Sequence, residues 1–248
     1  MNIGAIAGNV TRLASVGSTN DWLLQHADTL PDGHWVITDR QTDGRGRRGR
    51  GWSDGAGNLM ASVLVRAEGA VQQLSFVAAL ALHDAISASR GPDVPGLGSP
   101  TPAPRLSLKW PNDVMLDGVK VSGILLERAG DAVIIGFGVN IVSHPDGTER
   151  PATSLAAAGW PACEPVDLLA VLMPTFASAR AVWASAGFDA IRQRWLAHAA
   201  GIGDRIAARL GTETLEGRFE GLASDGALEL RLDDGRLRPV HAGEVFAL

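Results

Sequence analysis

The stretch Leu106-Ser107-Leu108-Lys109-Trp110-Pro111-Asn112-Asp113-Val114-Met115-Leu116-Asp117-Gly118-Val119-Lys120-Val121-Ser122-Gly123-Ile124-Leu125-Leu126-Glu127-Arg128 decides how this chain folds. Apolar and β-branched runs of strand length stand at Leu106 to Trp110 and at Val121 to Arg128, and Ala132 to Ile141 follows at once. Strands in near-sequential order, with helices between only some of them, predict a mixed sheet covered by helices. Pro111 biases Trp110 toward extended geometry and ends regular pairing there, which predicts that Asn112 and Asp113 project from a strand end.

Working outward, His34 to Asp39 and Leu59 to Arg66 read as further strands. Asn20 to Leu30, Gln72 to Ser89, Val166 to Ser185 and Phe188 to Ala197 read as helices. Gly91 to Pro104, rich in Pro and Gly, reads as a surface connection. Past Asp204 the texture changes to short strands at Arg205 to Leu210, Thr214 to Leu222, Ala227 to Leu232 and Leu237 to His241. Asp225-Gly226 and Asp234-Gly235 are hairpin-turn signals among them. The predicted class is α+β: a mixed-sheet core over residues 1–199 and a small β-barrel or sheet over residues 200–248.

Composition narrows the function. Of 248 residues 46% are hydrophobic and 20% charged, as in an ordinary globular protein, and a net charge of −5 argues against a general nucleic-acid or membrane binder. A lone cysteine, Cys163, excludes an intramolecular disulfide and a Cys-based zinc site and suits a reducing cytosol. Met1 to Val10 has no basic region or apolar run of signal-peptide type. No membrane span is expected, since the most apolar run, Phe76 to Leu82, is interrupted by His83-Asp84. The cations are skewed: Lys109 and Lys120 are the only lysines, and every other cationic side chain is arginine. A position that keeps Lys is a candidate for a task suited to a compact point charge and closed to a planar fork.

Four arginines fall within six residues of Gln41-Thr42-Asp43-Gly44-Arg45-Gly46-Arg47-Arg48-Gly49-Arg50-Gly51-Trp52. Glycine entropy and self-repulsion predict a loop that stays mobile until an anion arrives. Arg50-Gly51 stands where a Walker A loop needs Lys and Ser or Thr, and no helix pattern follows as a dinucleotide fingerprint requires. An RNA-binding Arg-Gly segment is a competing reading. In Gly136-Phe137-Gly138-Val139-Asn140 the glycines allow close approach of a flat ligand, and Asn140 suits a base edge. Ser18-Thr19-Asn20 is placed to cap a helix while facing a small polar ligand. No Ser, Cys and His constellation supplies a nucleophile. Many cations without a covalent nucleophile point to a reaction between two anions, such as a carboxylate attacking a nucleoside triphosphate. At an effective dielectric of about 20, a cation about 4 Å from developing charge contributes on the order of 4 kcal/mol before desolvation.

Taken together, Gly44 to Trp52, Lys109-Trp110-Pro111-Asn112-Asp113, Lys120 to Glu127 and Gly136 to Asn140 resemble, in order, the motifs of the biotin protein ligases. The resemblance implies condensation of biotin with ATP to biotinyl-5′-AMP, release of pyrophosphate, and transfer of biotin to a lysine of a biotin carboxyl carrier protein domain. It also implies an SH3-like C-terminal domain and cytoplasmic location. Carried over by motif, Ser18, Thr19, Asn20 and Gln41 would hold biotin, with Gly44, Arg45, Gly46 and Arg47 of the loop. Arg45 and Arg47 would meet carboxylate and phosphate charge, Lys120 would bridge the biotin carboxylate and the α-phosphate, and Lys109 would assist on the phosphate side. Asp113 would orient or deprotonate the incoming lysine, and Trp52, Asn112, Gly123 and Asn140 would form the nucleotide site. Magnesium is implied by ATP, with no carboxylate cluster to name its ligands. Some relatives double as DNA-binding repressors; with seventeen residues before Ser18, no operator binding is expected. Family members range from monomers to dimers, so a homodimer is among the expected assemblies. The alternatives are a lipoate ligase-type acyl-adenylate transferase and a non-catalytic biotin- or RNA-binding module.

Overall fold

Strands β1 (Val10–Leu13), β2 (Trp35–Thr38), β3 (Leu59–Arg66), β4 (Leu106–Lys109), β5 (Asp113–Leu116), β6 (Val119–Ala129) and β7 (Ala132–Val139) form one sheet, in the order β1-β2-β3-β7-β6-β5-β4. The structure is a computed structural model that describes residues 9–52, 55–67, 69–90, 104–148, 151–211 and 213–248. Only the β1–β2 pair is parallel. The expected connection at Gly91 to Pro104 lies, apart from Pro104, outside the described residues, as do Met1 to Gly8 of the amino-terminal reading.

Strand alternation assigns the two faces of the sheet. Trp35, Ile37, Val63, Val65, Val133, Ile135 and Phe137 point into the main core. There they meet α2 (Leu74–Ser89), α3 (Pro165–Ala186) and α4 (Phe188–Ala197). Val36, Leu64 and Ile134 point the other way, into a small cluster closed by Leu23 and Ala27 at α1 (Thr19–His26). Because α1 has only eight residues, it covers part of that second face and leaves the rest open. On the open part the alternation delivers Ser62 of β3, Gly123 of β6, and Gly136 and Gly138 of β7. The cleft described below lies there.

Within the opening stretch, the expectation of a strand followed by a projecting Asn-Asp end is corrected. Asp113 begins β5, in register with Lys109 of β4 across a tight turn at Trp110–Asn112 whose Trp110–Pro111 bond is cis. Asp117 and Gly118, both at positive φ, then turn the chain from β5 into β6. Two four-residue strands separated by three residues carry too little periodicity to be told from one strand and a loop. The short β1 went unpredicted for the same reason. Helix α1 begins at Thr19 and stops at His26, short of the expected Leu30.

Residues beyond 204 form a five-stranded antiparallel sheet in the order β11-β10-β9-β8-β12. Its strands are β8 (Arg205–Arg209), β9 (Thr214–Leu222), β10 (Leu228–Arg231), β11 (Leu237–Val240) and β12 (Glu244–Ala247). It is keyed to the main core at Gly226, where the Trp110 indole N–H donates to the Gly226 carbonyl at 3.2 Å. A Cβ at Gly226 would meet Phe76 of α2 at 2.7 Å. Contrary to expectation, one described helix is long and apolar enough to cross a membrane: α3, with 22 residues and a mean hydropathy of 1.3. Its Leu168, Leu169, Leu172, Phe176 and Ala179 are instead buried in the main core.

Candidate functional site

The cleft holds about 350 Å³ and runs from the amino end of α1, across the glycine floor of β6 and β7, to the Gly-Arg loop and the C-terminal sheet. Its closed end is built on α1. Ser18 caps that helix from an extended conformation, its Oγ accepting from the Asp21 N–H at 3.5 Å. This capping turns Thr19 and Asn20, each 3% exposed, inward rather than to solvent. The Gln41 Oε1 accepts the Thr19 backbone N–H at 2.8 Å and lies 3.0 Å from the Thr19 hydroxyl. Ser62, fully buried on β3, sits 2.7 Å from that hydroxyl and donates to the Asn20 Oδ1 at 2.6 Å. Asn20 Nδ2 in turn donates to Glu127 at 2.7 Å. A Cβ at Gly136 would meet the Asn20 Oδ1 at 2.5 Å, so this network needs glycine beneath it.

The Gly-Arg loop is folded over the cleft. An Arg45–Gly51 bridge closes it as a miniature hairpin, with Gly46 N–H donating to the Arg50 carbonyl at 2.6 Å and Trp52 N–H to the Gly44 carbonyl at 2.8 Å. Arg48 and Gly49 turn its tip at positive φ. A Cβ at Gly44 would strike the Gln41 side chain at 2.8 Å, which ties the loop's root to the closed end. Each arginine has a distinct setting. Arg45 is held by Asp21 at 2.5 Å and Glu127 at 3.1 Å, and these carboxylates push its guanidinium pKa further up. Arg47 donates to the Asn112 Oδ1 at 3.2 Å; burial pushes its pKa down, and Asp113 opposes that shift. Arg50 reaches the Glu244 carboxylate at 2.5 Å and Arg48 approaches it at 3.9 Å, so a side chain of the C-terminal sheet, 6% exposed, holds the loop's tip.

Across the floor, Lys120 donates to the Asp113 Oδ1 at 2.6 Å. Asn112 Nδ2 donates to the Ile124 carbonyl at 2.5 Å, so its amide clamps the β4–β5 turn to β6 while its oxygen holds Arg47. The Trp52 indole lies against Gly123 and Gly138: a Cβ at Gly138 would stand 2.4 Å from the ring and one at Gly123 3.3 Å. The flat group these glycines admit is therefore, in this structure, the chain's own indole. Its Nε1 is buried with no hydrogen-bond partner among the described residues, an orphan donor at the edge of the cleft. Asn140 donates to the Thr153 carbonyl at 3.0 Å and fastens the segment that brings Pro145, Thr148 and Ala152 to the rim.

Of the residues singled out from sequence, Ser18, Thr19, Asn20, Gln41, Arg45, Gly46, Arg47, Trp52, Asn112, Asp113, Lys120, Gly123 and Asn140 all line this cleft. Gly44 supports it from behind, and Lys109 is not among the lining residues. Sequence reasoning quoted Arg50 in the loop without giving it a task, and passed over Ser62, Asp21, Glu244 and the rim residues Pro145, Thr148 and Ala152. A serine in an apolar strand and a glutamate in a distant sheet carry no local signal of a shared site; Glu127, quoted within a motif, was given no task. Four cations, Arg45, Arg47, Arg50 and Lys120, line the cleft against two carboxylates, Asp113 and Glu244, although the chain as a whole is at −5. One end thus offers neutral hydrogen-bonding groups and the other a surplus of positive charge.

Residues 12–140 match the Biotin/lipoate A/B protein ligase family, and residues 201–248 match the Biotin protein ligase C terminal domain. The chain is 43% identical over 247 residues to a biotin–[acetyl-CoA-carboxylase] ligase of Paracoccus denitrificans, covering 94% of this chain and 98% of that protein. It is 34% identical to the corresponding ligase of Mycobacterium tuberculosis, covering 99% and 92%. Among solved structures, the biotin protein ligase of Aquifex aeolicus in complex with biotin and ATP superposes with a TM-score of 0.81 at 26% identity, covering 97% of this chain and 98% of that one.

Proposed function

The chain belongs to the biotin/lipoate A/B protein ligase family, and from that premise we propose that it is an ATP-dependent biotin protein ligase. It activates biotin to biotinyl-5′-AMP with release of pyrophosphate, then transfers the biotinyl group to a lysine of a biotin carboxyl carrier protein domain in the cytosol. The observation that carries this reading is one continuous cleft with a neutral, acceptor-rich end at Thr19, Asn20 and Gln41 and a cationic end at Lys120 and Arg47. Biotin has that polarity, with a ureido ring at one end and a carboxylate at the other.

In the first step a biotin carboxylate oxygen attacks the α-phosphorus, and pyrophosphate leaves with the electrons of the broken phosphoanhydride bond. Two anions must meet, so the barrier is largely repulsion. Lys120, standing beside Asp113, reaches both the carboxylate and the α-phosphate as a compact ammonium. Arg47, half-buried and joined to the neutral Asn112 amide, supplies further charge to the phosphates. Arg45, held between Asp21 and Glu127, acts chiefly through the loop it anchors. The orphan Trp52 N–H fits an acceptor on the nucleotide. In the second step the acceptor lysine attacks the acyl carbon and AMP leaves, with Asp113 placed to take the proton that the amine sheds. Magnesium would arrive with the triphosphate. No group of three His, Cys, Asp or Glu among the described residues forms a site for it.

The test is biotin-dependent exchange of labelled pyrophosphate into ATP by the purified chain, followed by transfer of biotin to a carrier domain. Folded protein that catalyses no exchange would overturn the enzymatic reading. Exchange driven by lipoate in preference to biotin would reassign the substrate.

A further inference from the structure

The closed end of the cleft contains a hydrogen-bond chain with a direction, and that direction is set outside the residues that meet the ligand. Glu127, on the α1-facing side of β6, is a carboxylate held by Arg45 and can only accept. It therefore fixes the Asn20 amide, whose Nδ2 must point to it at 2.7 Å, and this leaves the Asn20 Oδ1 facing Ser62 at 2.6 Å. Two oxygens that close need a proton between them, and only Ser62 can provide one. Ser62 carries a single proton, so its 2.7 Å contact with Thr19 must use the proton of Thr19. The Thr19 hydroxyl can also donate to the Gln41 Oε1 3.0 Å away, but with its proton on the shorter contact to Ser62 it presents lone pairs to the cleft beside that oxygen, which the Thr19 backbone N–H already holds in place as an acceptor. Two acceptor oxygens side by side repel, and an N–H group of the ligand placed between them removes the repulsion.

We infer that Glu127 and Ser62 are positioning residues that set the hydrogen-bond polarity of the biotin subsite, so that Thr19 and Gln41 act together as acceptors for a ureido N–H. Neither residue touches the ligand in this scheme. The relay also bears on substrate choice: a ligand whose ring lacks N–H groups, such as lipoate, brings no donor to lie between the two facing oxygens and leaves their repulsion in place in a buried site.

This inference rests on the biotin ligase reading, and the experiment separates the two. Biotin-dependent pyrophosphate exchange by the unaltered chain tests the function; the variants test the relay. Ser62→Ala removes the link between Thr19 and Asn20 and is expected to raise the KM for biotin by about tenfold or more, with kcat and the KM for ATP within about twofold, the pattern of a lost ground-state hydrogen bond. Asn20→Asp sets a second carboxylate against Glu127 and is expected to raise the KM for biotin at least as far. Combining Asn20→Asp with Glu127→Gln exchanges the two side-chain chemistries. The new amide can donate to the new carboxylate, which still accepts from Ser62, so polarity at Thr19 is kept and the KM for biotin should return to within about threefold of the parent. Thermal unfolding of each variant checks the fold, and the Asn20 and Glu127 exchange decides alone should Ser62→Ala not fold. A folded Ser62→Ala with an unchanged KM for biotin, or a double variant no better than Asn20→Asp, would overturn the relay.

Discussion

Replacing Gly138 by alanine tests whether the glycine floor exists to seat the Trp52 indole. The added Cβ would stand 2.4 Å from Cε2, 2.5 Å from Cζ2 and 2.9 Å from Cδ2 of that ring. Ordinary van der Waals contacts begin at 3.4 Å, so the indole must retreat by about 1 Å. The obstacle is a side chain on a loop rather than core backbone, so the stability cost should sit near the low end of the overpacking range, about 1 kcal/mol. The functional cost is larger. A displacement of about 1 Å in a positioning group costs up to about 100-fold in rate. Steady-state pyrophosphate exchange should then show kcat/KM for ATP reduced by about 10- to 100-fold, with the KM for biotin changed little, because Thr19, Gln41 and Ser62 lie at the other end of the cleft. A double-mutant cycle with Trp52→Ala makes the cause explicit: if the alanine acts by displacing the ring, adding Gly138→Ala to Trp52→Ala should cost almost nothing more. Normal ATP kinetics in Gly138→Ala, or full additivity in the cycle, would refute the seat.

Three further expectations concern Lys120, Glu244 and, away from the cleft, the histidines His34 and His198. Lys120→Arg keeps the charge beside Asp113 but brings a planar head where Gly123 and the Trp52 ring leave the Lys120 ammonium little room, so adenylate formation should fall by about 100-fold or more; near-normal exchange would show that charge alone suffices. Glu244→Ala releases Arg50 and Arg48 from the C-terminal sheet and should speed proteolytic cutting within 45–50, while biotin and ATP together should slow cutting of the parent chain; equal cleavage in all states would count against this hold on the loop. His198, its ring tilted at 36° to that of His83 with centroids 4.1 Å apart, has its pKa lowered by burial and by His83, and burial lowers that of His34 as well. The unfolded chain then binds more protons than the native one just below the ordinary histidine pKa. Stability should therefore be full above about pH 6.5 and fall as pH drops below it. Asp84, its pKa lowered by His83 and Arg194 against the opposing effect of burial, adds a second loss at lower pH. A melting temperature that does not move between pH 7.5 and about 5.5 would contradict this assignment.

Much of the architecture was legible because long elements carry strong periodicity. Leu59–Arg66, Thr214–Leu222 and Phe188–Ala197 stand where the residue pattern put them, to the residue. What stayed hidden was short or non-local. The strands β1, β5 and β12 have four residues each, and β12 takes its place only by pairing with β8, 35 residues earlier at its first pair, Glu244 with Arg209. The site followed the same rule. Residues in dense local motifs, such as Arg45, Arg47, Asp113 and Lys120, were singled out and line the cleft; Ser62 and Glu244 were not singled out, because their meaning depends on which strand face and which sheet edge approach the loop. The loop itself shows the limit of composition. Its glycines and arginines predict mobility, yet three carboxylates brought from α1, β6 and β12 supply its arginines with partners.

The contact between Glu244 and the loop arginines joins two sheets as well as closing a cleft. Coupling of this kind is reciprocal: whatever free energy the five-stranded sheet lends to ordering the loop, a ligand that orders the loop returns to the docking of that sheet. Substrate is then a fastener for a whole sheet of which only the β12 end borders the cleft. The C-terminal sheet should exchange its backbone amides most slowly during turnover, so that protection at β12 records how long the adenylate is held before an acceptor lysine removes it.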